Sequence, residues 1–361
     1  MRPRSIFNRF LDHYAYNSTS LRFQTMLILI NSVIIGLFVY NAMIQTGKIY
    51  DPEPTIFTVR PKNVVDRHRI PTEVLVGITI NDFSSFDITK NKFVMRCIIW
   101  FIFDPIFIPV DSINQFSIAK GTIIKKSAPD IIITKDKKAF AKYEVLAEFN
   151  SDLDYRYFPL DNHRIYILIT NLTVAESDVI FKSQNSYLKI DDHLHTIDSR
   201  IFNLQARYGY LSSELIPGYK QTLVEHPVAL FAFDYDKPGV RSTLLIIIPI
   251  ILMFFMALFT LSLDPTTNYR EIFGTSIGVL TSILTYRFVI ESLSPQVDYF
   301  TMDDYIYIFV LLCAFGIFLF NSISIRSKEF TRTAKIIRIT LSIALHIIMA
   351  VFVYLTLNYW I

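Results

Sequence analysis

Five apolar stretches, each near the length that crosses a hydrocarbon layer as a helix, constrain this chain of 361 residues more than any other feature. A layer of roughly 30 Å takes about 20 helical residues. The stretches are Phe23–Ile44, Ser242–Leu263, Ile272–Ile290, Tyr305–Phe320 and Ile339–Tyr359, the third diluted by Gly, Ser and Thr. A buried helix of a soluble protein can mimic one such run, but not five in one chain. The chain is 52% hydrophobic yet still 19% charged, too charged to be all membrane. That mixture implies spanning helices joined to a water-exposed domain long enough to bury a core of its own.

Lysine and arginine set the orientation. Arg2, Arg4, Arg9 and Arg22 precede the first span, and Arg326, Lys328, Arg332, Lys335 and Arg338 lie between the fourth and fifth, with Glu329 the lone acid. Both regions are expected on the cytoplasmic side, and counting crossings from an inside N-terminus gives the same answer, with the C-terminus outside. The domains expected are a cytoplasmic segment 1–22, a membrane anchor 23–45, an extracytoplasmic domain 46–240 and a helical membrane domain 241–361. A basic leader and an apolar core also suit a signal peptide. The long run and its far end, NAMIQTGKIYDPEP, favour an uncleaved anchor.

Between Pro71 and Phe233 the sequence changes period. EVLVGITINDF, KFVMRCIIWFIF, DIIITKD, KYEVLAEF and HRIYILITNL are rich in β-branched and aromatic residues and are separated by Asp, Asn, Ser, Lys or Pro. This pattern predicts an antiparallel β-sandwich. Cys97 and Cys313, the only cysteines, are too far apart in character to pair, so neither a disulfide framework nor a cysteine metal site is expected. There is no HExxH, phosphate loop, nucleophile elbow or Cys–His pair, and His193 and His195 only flank a leucine. No catalytic residue, metal or cofactor is expected, and the net charge of +3 gives no footprint for nucleic acid.

The diluted third span carries the most chemistry. At 100° per residue, Glu271, Gly274, Thr275, Gly278, Thr281, Ser282, Thr285, Val289 and Ser292 fall within about a third of the circumference. Ile272, Phe273, Ile277, Val279, Leu280, Ile283, Leu284 and Ile290 occupy the remainder. Hydroxyls facing water let ions keep much of their hydration, as a pore requires. The competing reading is close helix packing through the GxxxG of Gly274 and Gly278. A stripe this long favours water. In the last span, His346 reads as a packing histidine, with proton sensing the alternative.

Several short motifs stand in an order that resembles a known family. Phe158-Pro159-Leu160-Asp161, the pair Trp100 and Asp104, Asp236-Lys237-Pro238 leading into a span with Pro249, and Leu293, Pro295, Tyr299, Thr301, Asp304 and Tyr305 after the third span resemble the pentameric ligand-gated ion channels, or Cys-loop receptors. The resemblance covers about residues 70–361. The positions of the family's bracketing cysteines fall on Ser151 and Ile165, so this chain is similar to prokaryotic members that lack the disulfide. The resemblance implies a homopentamer in a lipid bilayer, with an axial pore lined by residues 271–292 and gated by an extracytoplasmic small-molecule or ionic ligand. It implies that Phe158, Pro159 and Asp161 couple to Pro295, Tyr299 and Asp304, and that Tyr208, Tyr210 and Tyr219 contribute to a ligand site.

Further consequences of the resemblance depend on single residues. Five Glu271 side chains at the cytoplasmic mouth would favour cations, opposed by Arg270. Thr281 stands where many members carry a pore leucine, leaving Phe288 or Val289 as the narrowest apolar ring. Asn171-Leu172-Thr173 replaces an aromatic that amine sites use. The added first span and the missing leucine keep a non-conducting sensor or scaffold open. A short cytoplasmic loop and the absent disulfide imply a bacterial inner membrane.

Overall fold

The computed structural model describes residues 6–45, 51–57, 71–87, 90–174, 179–191, 200–214, 223–236, 240–326 and 332–359. They form two compact units. One comprises Ile49–Asp154 and Asn162–Pro238; the other comprises Met1–Lys48, Gly239–Ile361 and a short excursion, Tyr155–Asp161.

The first unit holds the strands β1 (Thr72–Asp87), β2 (Lys92–Phe103), β3 (Ser117–Ile118), β4 (Gly121–Lys126), β5 (Asp130–Ile133), β6 (Ala139–Asn150), β7 (His163–Thr170), β8 (Val179–Lys182), β9 (Leu188–Ile190), β10 (Arg200–Glu214) and β11 (Leu223–Asp236). They make two sheets. One runs β4-β6-β2-β1-β8, with β5 on β6 and β9 on β1; the other runs β10-β11-β7-β3. Most pairings are antiparallel, but β8 and β9 lie parallel to β1. This corrects the expectation of wholly antiparallel sheets: no hairpin joins β1 to either strand, so no turn dictates their direction. The region expected to be all strand also contains α2 (Val110–Asn114) and a turn of 3-10 helix at Asn185–Tyr187.

Strict alternation explains the core. Phe93, Met95, Cys97, Ile99, Phe101 and Phe103 of β2 are buried, as are Ala139, Ala141, Tyr143, Val145, Ala147 and Phe149 of β6. The register sets large against small, with Phe103 opposite Ala139, Phe101 opposite Ala141 and Met95 opposite Ala147. Each large side chain so buried contributes roughly 1.5–3 kcal/mol. On β1, Gly77 lies opposite Trp100, whose ring would stand 2.1 Å from any Cβ there. The middle strands β7 and β11 are apolar at successive positions because both faces are covered, which is why HRIYILIT barely alternates.

The second unit consists of α1 (Ile6–Gln45), α3 (Val240–Phe259), α4 (Tyr269–Leu293), α5 (Met302–Arg326) and α6 (Arg332–Tyr359). Among the described residues, five segments are long and apolar enough to cross a membrane: Ser20–Ala42, Thr243–Ser262, Tyr269–Leu293, Met302–Arg326 and Ala334–Leu357. The helices outrun the apolar stretches because polar residues serve as their ends. Asp303 and Asp304 occupy the first turn of α5, where the helix dipole favours acids, and Arg326 occupies its last. α6 begins at Arg332, so Arg338, expected in a loop, is helical and only 1% exposed. Its Nε and Nη2 donate to the carbonyls of Leu261 and Thr260 at 3.1 and 2.8 Å, closing the end of α3.

α1 packs along α6. Ser20, Gln24, Asn31, Ile35, Val39 and Ala42 are buried, a spacing near 3.5 that keeps one seam facing its neighbour. The Ser342 hydroxyl donates to Gln24 Oε1 at 2.5 Å, Asn31 Nδ2 donates to the His346 carbonyl at 3.3 Å, and the rings of Phe38 and Tyr354 lie 5.3 Å apart. Both numbers of each pair rise together, so the helices run parallel. His346 stacks on Phe255 at 6.1 Å, and its Nδ1 lies 2.8 Å from the Ser342 carbonyl.

Candidate pore helix and coupling loop

α4 opens on a tight turn in which Asp264 Oδ1 accepts the Thr266 N–H at 2.8 Å and its hydroxyl at 2.7 Å. Five residues of the helix are buried: Ile272, Ser276, Val279, Ile283 and Ile290. They fall on one narrow face. Ser276 receives a hydrogen bond from Asn321 of α5 at 3.3 Å, Tyr286 donates to the Leu245 carbonyl of α3 at 2.5 Å, and Arg287 pairs with Asp304 of α5.

The stripe faces away from those contacts. Glu271, Gly274, Gly278, Thr281, Ser282, Thr285, Val289 and Ser292 are exposed, and Thr275 is half-buried. The Thr285 and Ser292 hydroxyls donate back to the helix's own carbonyls, Thr281 at 2.9 Å and Val289 at 2.7 Å. A Cβ added at Gly274 or Gly278 would meet nothing within 4 Å. Among the described residues of one chain, therefore, neither glycine serves a close helix contact. Phe273, Ile277, Leu284 and Phe288 are exposed on a second, apolar flank between the stripe and the buried face. Val289 shares the angle of Glu271, five turns away, whereas Phe288, 74% exposed, sits on the border of the flank. Arg270 donates to the Tyr269 hydroxyl at 3.1 Å and lies beside that ring, off the stripe to which Glu271 belongs.

The segment after α4 is a built corner. Pro295 and Thr301 are buried, and Tyr299 is 39% exposed. Asp304 supplies one half of a capping box: its Oδ2 accepts the Thr301 N–H at 3.0 Å and lies 2.8 Å from the Thr301 hydroxyl, which it shares with Asp303. Asp303, fully buried, accepts the Ser294 hydroxyl at 2.6 Å and also that of Thr301. The Thr and Asp of the motif thus cap α5 as well as marking a resemblance.

The excursion Tyr155–Asp161 meets this corner. Its two turns are closed by Phe158 N–H to the Tyr155 carbonyl at 2.9 Å and Leu160 N–H to the Tyr157 carbonyl at 2.8 Å, and Phe158–Pro159 is cis. The Tyr155 N–H donates to the Tyr299 hydroxyl at 3.0 Å, the Met302 N–H to the Arg156 carbonyl at 3.0 Å, and the Thr243 hydroxyl to the Pro159 carbonyl at 3.3 Å. Phe158, Leu160 and Asp161 are buried. No residue type or spacing marks out Tyr155, Arg156 or Thr243 for these contacts. The loop contributes backbone groups to all three contacts, and no residue type encodes those.

The three tyrosines of the expected ligand site have unlike surroundings. Tyr208 is 38% exposed, Tyr210 is 2% exposed, and Tyr219 lies outside the described residues. Among the described residues, no cluster of three His, Cys, Asp or Glu is arranged for a metal. Both cysteines are unpaired, and burial pushes the Cys97 thiol up to about 12.

No family matches this sequence, and no curated protein is significantly similar to it.

Proposed function

We propose that the chain is one subunit of a homopentameric ion channel in a bacterial inner membrane, with the sheets forming an extracytoplasmic sandwich and α3–α6 a four-helix bundle. In this reading the N-terminus is cytoplasmic and α4 lines the axis. The observation that carries the reading is the stripe from Glu271 to Ser292, which is exposed except at the half-buried Thr275, and whose two glycines meet nothing, while the opposite face packs. Lipid gives such a stripe nothing, whereas water on a five-fold axis solvates it. The apolar flank of Phe273, Ile277 and Leu284 then lies against the neighbouring subunit. Five Glu271 carboxylates at the mouth favour cations, and a small-molecule or ionic ligand acts by binding the open state more tightly than the closed one.

The second reading, a non-conducting sensor on the same architecture, draws on Thr281 at the middle of the stripe and on an added helix that is specifically packed against α6. Single cysteines from Thr275 to Ser292 separate the two, after Cys313 is replaced. Polar thiol reagents reaching Thr275→Cys, Thr281→Cys and Thr285→Cys, with ionic current across planar bilayers, support the channel. Labelling by lipid-soluble reagents alone overturns it. Accessible thiols without current under any pH or ligand pool favour the sensor.

A further inference from the structure

The segment 51–57, which follows α1 in sequence, lies against β10 and ends on the two stems that flank Tyr155–Asp161. The Asp51 side chain is 1% exposed. Its carboxylate accepts the Asp154 N–H at 2.7 Å on one stem and the Arg164 N–H at 2.6 Å on the other, and it lies 3.3 Å from His163 Nδ1. Beside residues 151 and 165, where a disulfide is absent, the Tyr166 N–H donates to Ser151 Oγ at 3.5 Å, the long limit of such a bond. A buried carboxylate holding two backbone amides from separate stems is a strong non-covalent bridge, because charge-assisted bonds gain most where water is excluded.

Asp51 is itself held in place. Phe57 and Tyr210 exchange backbone hydrogen bonds, both 3.0 Å, and Glu53 pairs with Arg207 on the same strand. Gly209 permits the approach: a Cβ there would stand 2.4 Å from Ile56 Cγ2 and 2.7 Å from the Phe57 carbonyl oxygen. Ile56 packs against the cluster of Tyr166, Leu168, Val228, Leu230 and Ala232. One strap thus grips β10 at one end and both stems at the other.

We infer that Asp51 is the clasp that positions the loop Tyr155–Asp161, closing its stems where no covalent bond does, and that the strap carries any displacement of β10 to both stems together. As a gating device the clasp rests on the channel reading; as a fastening of the loop it does not. Asp51 is a positioning residue, since it acts through the loop's backbone.

Hydrogen exchange of the full-length protein in micelles tests it, read at the Asp154 and Arg164 amides with β2 as the internal control. In Asp51→Ala both amides are expected to exchange at least about tenfold faster while β2 is unchanged, as loss of a charged acceptor implies. Asp51→Asn keeps one acceptor oxygen and is expected to fall between, and its exchange decides the matter should the alanine variant not fold. Gly209→Ala, which displaces the strap from its far end, is expected to speed the same two amides. Unchanged exchange at both amides in a folded Asp51 variant overturns the clasp, whatever the currents show. Faster exchange with no current from the unmodified protein keeps the clasp and overturns the channel.

Discussion

The two units bury opposite chemistry. The sheet unit hides rings and aliphatics, with Phe93, Phe101, Phe103, Phe149, Phe181 and Phe231 all at 1% exposure or less. The helical unit hides Gln24, Asn31, Thr260, Ser276, Asn321, Arg338, Ser342 and His346, while Leu29, Val33, Leu312 and Ile323 are each more than 60% exposed. In water, apolar burial drives folding. In hydrocarbon it drives nothing, because lipid is as apolar as leucine, and cohesion falls to hydrogen bonds and close packing. Thr260 illustrates the second regime. Its hydroxyl receives Asn321 Nδ2 at 2.7 Å, and its carbonyl receives Arg338 at 2.8 Å, so one residue joins α3 to α5 and α6.

Substitutions can break that contrast or sharpen it. The largest effect is expected at Phe101, whose ring lies within about 6 Å of those of Phe116, Tyr143 and Phe181. Phe101→Ala should destabilise the sheet unit by about 3–5 kcal/mol, read in denaturant, without moving exchange in the helices. Next comes Arg338→Met, expected to cost the helical unit about 1.5–3 kcal/mol in thermal melts and to leave the sheets unchanged. A neutral result there would show that the end of α3 finds other donors. Gln24→Leu should cost about 1 kcal/mol, since interhelical hydrogen bonds in lipid are individually weak. An equal loss from Leu29→Ala would erase the distinction between the two solvents. The smallest effect is expected at Glu53→Gln, below about 1 kcal/mol, because its ion pair with Arg207 is half exposed.

Much of the sheet core is legible in the sequence because burial on β2 and β6 follows a period of two without a slip. The spans are legible for the same kind of reason: length and apolarity have a fixed physical target. Arg338 is not, since a basic residue near a loop looks like a topological signal until its carbonyl partners on α3 are seen. The stripe on α4 can be read from its angular clustering, but the open space beside Gly274 and Gly278 cannot, because it depends on where α3 and α5 run. Asp51 eludes a sequence reading altogether. It lies more than a hundred residues from each of its partners in sequence, in a segment with no regular period, and one carboxylate among many acids gives no local signal.

The empty surroundings of Gly274 and Gly278 make these two positions a built-in gauge of company. Alanine at either site offers a lone subunit only gain, about 1 kcal/mol from stiffening the helix, since the new methyl touches nothing. Should such a variant instead come out less stable, or sediment as a smaller species, the methyl must have struck a second copy of the chain. The sign of one measurement would then tell whether that surface lives alone.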